Sequence, residues 1–134
     1  MSLKEIFNAA KLPVILGIAL LVLSNIIQNV PFGVILFWIA ELLIFLYSGY
    51  STVKKYNLSL LNAVVVGSIV GIAETATQVV MDIPKILEAV GKSGLFLTLF
   101  GMVISLPIML ILYVSLGLIL GLTGGFIAQK TKPR

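Results

Sequence analysis

Two carboxylates, Glu41 and Glu74, lie in stretches of chain that carry no other charge. Glu41 sits within Phe37-Trp38-Ile39-Ala40-Glu41-Leu42-Leu43, with no basic residue close to it in sequence. A charged group at the centre of a bilayer costs roughly 2.5–3.5 kcal/mol or more. Such a carboxyl must be protonated, hydrogen-bonded or beside water. Its chemistry would be to release a proton when a cation or polar solute arrives, which couples the two movements. The plainer role is a neutral glutamic acid that hydrogen-bonds a neighbouring helix.

Glu74 belongs to a series in which Gly67, Gly71, Glu74, Gln78 and Asp82 recur at three or four residues. That spacing places them on one face of a helix. Ser24, Asn25 and Gln28 occupy a similar depth in an earlier segment. Together, Asn25, Gln28, Glu74, Thr75 and Gln78 predict a polar pocket, set to one side of the membrane centre, for an ion or polar solute. Interhelical hydrogen bonds, commonly worth about 0.6–2 kcal/mol each, are the alternative use for the same amides.

The remaining composition narrows the chemistry. There is no Cys, no His and a single Asp. Thiol chemistry, disulfides, most metal sites and the usual neutral-pH general base are therefore excluded. Neither phosphate-binding glycine motif is present. The sequence reads as a non-enzyme with no cofactor and no metal. Its net charge of +4 comes from lysines and one arginine scattered in ones and twos. These fit topology signals and headgroup anchors, not a nucleic-acid face.

The elements that must hold these residues are membrane helices. The chain is 60% hydrophobic and only 10% charged, with mean hydropathy +1.18. Ser93 to Gln129 is a run of 37 residues without a charge. Asn29-Val30-Pro31-Phe32-Gly33 breaks the first apolar stretch. Four spans follow, over about 12–28, 32–50, 60–81 and 95–122, as one transmembrane domain. The last is a long helix expected to kink at Pro107, with a re-entrant element before that proline as the alternative. Short amphipathic segments at 2–11 and 83–91 have the pattern of interfacial helices, or of extensions of their neighbouring spans.

Small residues supply the packing signals. Gly67 and Gly71 form a GxxxG, and Gly117, Gly121 and Gly125 make a ridge near the end of the chain. Orientation follows from the basic residues. With both termini cytoplasmic, seven of the nine Lys and Arg lie inside, and only Lys85 and Lys92 lie outside. The expectation is thus an all-α, four-helix, multi-pass protein of the cell membrane, N-in and C-in. Its partners would be the lipid bilayer and either further copies of itself or other membrane subunits. The function expected is an oligomeric transport or channel-type subunit that uses intramembrane carboxylates. A non-catalytic or assembly subunit of a larger membrane complex is the alternative.

Overall fold

The computed structural model describes residues 3–27 and 29–131, apart from the side chain of Asn25. It holds four α-helices: α1 Leu3–Ile27, α2 Gly33–Lys54, α3 Leu60–Ser93 and α4 Leu95–Lys130. Among the described residues there are no strands. All four helices are long and apolar enough to cross a membrane.

Local chemistry explains the boundaries. The α1–α2 connection passes through Phe32 in the left-handed region at φ 62°, beside the flexible Gly33. Ser59 caps α3, its hydroxyl accepting from the Asn62 amide at 3.4 Å. Between α3 and α4 the chain reverses at Gly94, with φ 85°, a conformation that a side chain would strain.

The segments expected to lie flat are not separate helices. Residues 3–11 continue into α1 through Pro13, and residues 83–91 continue α3 through Pro84. Asp82 and Gly91 neither start nor stop a helix, because the break falls at Gly94 instead. Charges mark where a chain leaves apolar surroundings, but they do not end helical hydrogen bonding. Likewise α4 is one helix through Pro107, with no re-entrant break, and it ends at Lys130 instead of near Leu122.

The helices pack with α2 and α3 at the centre. Each touches the other and both outer helices, whereas the α1 and α4 backbones do not approach one another among the described residues. Ala9 and Ala10 pack with Val66, near Tyr56 and Leu58. Val53, Ala63 and Ala128 form a second cluster. The Lys54 ammonium also donates to the Thr131 hydroxyl at 3.5 Å. The start of α1, the α2–α3 connection and the end of α4 therefore share one end of the bundle, the terminal end.

Glycines let the backbones meet. A Cβ on Gly67 would strike the Gly117 carbonyl, and one on Gly117 would strike the Gly67 carbonyl. A Cβ on Gly121 would lie 2.7 Å from the Ala63 carbonyl, and one on Gly71 2.5 Å from that of Tyr113. On the other side of α4, Gly124 abuts the Leu46 carbonyl, and Gly49 of α2 abuts the backbone of Gly121. Contact this close gains dispersion and Cα–H···O attraction, which matter where lipid removes the usual hydrophobic drive between helices.

Candidate functional site

Glu41 and Glu74 are both fully buried, at 0% exposure. They lie on neighbouring helices, α2 and α3, with their carboxyl groups close enough to act on one another. Apart from each other's carboxyl, their four oxygens have no hydrogen-bond partner among the described residues. The Glu74 carboxyl lies against Gly17 of α1, where a Cβ would overlap its Oε1. Tyr113 of α4, only 8% exposed, stands near both acids. All four helices thus contribute one residue at this level: Gly17, Glu41, Glu74 and Tyr113.

Gly17 is what makes room for the pair. Any larger residue would push Glu74 away from α1. Below the acids, Phe45, Val70 and Tyr113 form the central apolar cluster, packed against Val14 and Met109. No basic side chain enters this layer. Among the described residues, both ion pairs, Lys85 with Asp82 and Lys92 with Glu88, lie farther along α3.

On the far side from the terminal end, a cavity of about 270 Å³ opens about one helical turn from the acids. Ser24 of α1, Phe37 and Trp38 of α2, Gln78, Met81, Asp82 and Lys85 of α3, and Met109 and Tyr113 of α4 line it. Phe37 lies four residues from Glu41, and Gln78 four from Glu74, so each acid has a cavity residue one turn beyond it on its own helix. At the wall, Asp82 accepts from the Gln78 amide at 2.9 Å and from the Lys85 ammonium at 2.8 Å. That arrangement neutralises Lys85 within the lining.

The pocket expected from sequence is redrawn by these positions. Glu74 and Glu41, read as two sites at different depths, meet at one. Gln78 lines the cavity. Thr75 is buried elsewhere and donates to the Gly71 carbonyl of its own helix at 2.8 Å. Asn25 has no described side chain, and Gln28 lies outside the described residues. Ser24 lines the cavity and is itself buried.

Sequence reasoning missed Gly17, Phe37, Trp38, Met109 and Tyr113 as parts of the site. A lone glycine midway along an apolar span carries a weak signal, and single aromatics in a membrane helix carry none. The arrangement can hold a proton between two acids and present a small, partly aromatic chamber beside them. Comparison with protein-family models, with curated proteins and with solved structures finds no match to this chain.

Proposed function

We propose that the chain is a small, oligomeric transport or channel-type membrane subunit, in which Glu41 and Glu74 work as one group on a proton or small cation. The observation that carries this reading is the pairing of two fully buried acids that find no donor in any other described residue, next to a cavity. Two carboxylates in apolar surroundings cannot both stay charged, so the pair needs a proton or another cation. Held together by one shared proton, the pair would also link α2 to α3; the adjoining cavity is what supports a further role on a cation.

The reading places both termini in the cytoplasm of a cell-membrane protein, on the seven-to-two distribution of basic residues. The cavity then faces outward. Pro107 lies within α4 near it, where the Val103 carbonyl loses its amide donor. Single cysteines at Lys55 and Lys85 test the orientation in intact cells. An impermeant thiol reagent should label position 85 alone, and labelling at 55 reverses the topology.

The function itself is tested in liposomes with the purified protein and an entrapped pH dye. An imposed potassium-diffusion potential should drive proton entry through the wild type, and Glu41→Gln and Glu74→Gln should each abolish it. Wild-type flux equal to that of protein-free vesicles removes the transport reading. The alternative, a non-catalytic subunit of a larger complex, is favoured by one observation. The first half of α4 exposes apolar side chains such as Phe96, Val103 and Ile111 that none of the described residues covers. Cross-linking at Phe96 in native membranes, followed by mass spectrometry, would identify a protein neighbour there.

A further inference from the structure

We infer that the cavity beside the acid pair binds a small quaternary or tertiary alkylammonium ion, a ligand class that rests on the transport reading above. Three of its lining residues are aromatic: Phe37, Trp38 and Tyr113. Phe37 and Trp38 are set nearly perpendicular, with ring centroids 5.8 Å apart and planes at 78°. Tyr113 faces the cavity from α4, and Met81 and Met109 add two soft thioethers. Aromatic rings attract alkylammonium groups through their negative faces, by up to about 2 kcal/mol when water is excluded. Thioethers follow the shape of apolar groups.

The donor set argues against a bare metal ion. A hard cation needs about six to eight oxygen ligands, or a shell of retained waters. Here the lining oxygens come from Ser24, Gln78, Asp82 and Tyr113, and Asp82 is already engaged by Gln78 and Lys85. A volume of about 270 Å³ exceeds what a bare ion fills and leaves room for a trimethylammonium head with a short tail.

The charges around the cavity set the sign. Among the described residues, α1 brings no charged side chain here, with Ser24 at the cavity and Gly17 at the acids, and α4 brings Tyr113. Lys85 and Asp82 of α3 cancel as an ion pair. What remains is the pair Glu41 and Glu74, unpartnered and one turn away. A bound monovalent cation takes the place of one proton on that pair, so one proton leaves for each cation bound. Binding therefore strengthens as pH rises.

Trp38 is the only tryptophan, so all tryptophan emission comes from a residue that lines the cavity. Purified full-length protein in detergent would be titrated with choline and, in parallel, with 3,3-dimethylbutan-1-ol, its uncharged carbon isostere. Choline should change Trp38 emission saturably, and more tightly at pH 8 than at pH 6, while the isostere has no effect at the same concentrations. Glu41→Gln with Glu74→Gln should weaken choline by about tenfold or more. Met81→Lys, which adds a fixed positive charge at the wall and leaves both acids intact, should weaken it as strongly. An equal response to the isostere, or unchanged choline affinity in Met81→Lys, overturns the proposal. Absence of choline binding with Glu41-dependent proton flux retained overturns the ligand class and spares the transport reading. Absence of both removes the two together.

Discussion

The two halves of α4 share one helix and nearly one composition, yet they behave in opposite ways. From Leu95 to Leu112 no residue is buried, and Phe96 and Val103 are 79% and 71% exposed. From Tyr113 to Ala128 the helix buries Tyr113, Gly117, Gly121, Gly124, Gly125 and Ala128. Apolarity does not separate them, since the first half is rich in Leu, Ile and Phe. Size does. Between helices surrounded by lipid, apolar side chains gain little by leaving it, so close approach of backbones decides which surfaces meet. The glycines at 117, 121 and 124 give α4 two close-packed faces, one for α3 and one for α2. Gly101, in the other half, has nothing within 4 Å of where a Cβ would stand.

The sharpest way to break this contrast is to truncate one phenylalanine from each region. Phe45→Ala removes a fully buried ring packed on Val70 and Tyr113. It should lower stability by about 3–5 kcal/mol. Phe96→Ala should leave the unfolding midpoint in mild detergent unchanged. Equal losses at both positions would mean that the exposed half is packed against something in solution.

Substituting glycines comes next. Gly121→Leu forces α4 off Ala63 and Gly67 of α3, and overpacking of this kind costs about 1–3 kcal/mol or more. Gly101→Ala should do the reverse. It meets open space and gains helix propensity, about 0.8–1.0 kcal/mol. Thermal denaturation followed by circular dichroism separates the two signs, and destabilisation by both would end the argument from size.

A smaller effect on stability, but a specific one, is expected from Gly17→Ala. The added methyl meets the Glu74 carboxyl, the far end of a flexible side chain that can turn aside. The bundle should stay folded, while proton flux through the acid pair falls. Unchanged flux would show that the position of Glu74 against α1 is immaterial. The smallest effect belongs to Glu88→Gln. Its ion pair with Lys92 leaves both side chains more than half exposed, so its loss should cost at most about 1 kcal/mol.

How much of this was legible in the sequence depends on whether a feature is local or between helices. The α1–α2 turn follows from Asn29-Val30-Pro31-Phe32-Gly33, because turn chemistry acts within a few residues. Helix ends were misplaced where charge stood in for geometry. Lys85, Glu88 and Lys92 mark a polar stretch, but α3 continues through it to Ser93. The pairing of Glu41 with Glu74 was not legible at all. Their relative depth depends on how α2 and α3 slide along each other and along α4. That register is set by contacts such as Gly67 with Gly117 and Gly49 with Gly121, which appear only when the backbones are in place.

The way α1 is attached has a mechanical consequence. α2 and α3 are joined to α4 by backbone resting on backbone, so neither can move without parting a seam along several turns. The α1 backbone does not approach α4, and its one central glycine rests on the tip of a side chain, the Glu74 carboxyl. Three helices are thus joined along backbone seams, while α1 meets the acid pair through a side chain, so a small change at Gly17 reaches the buried pair directly.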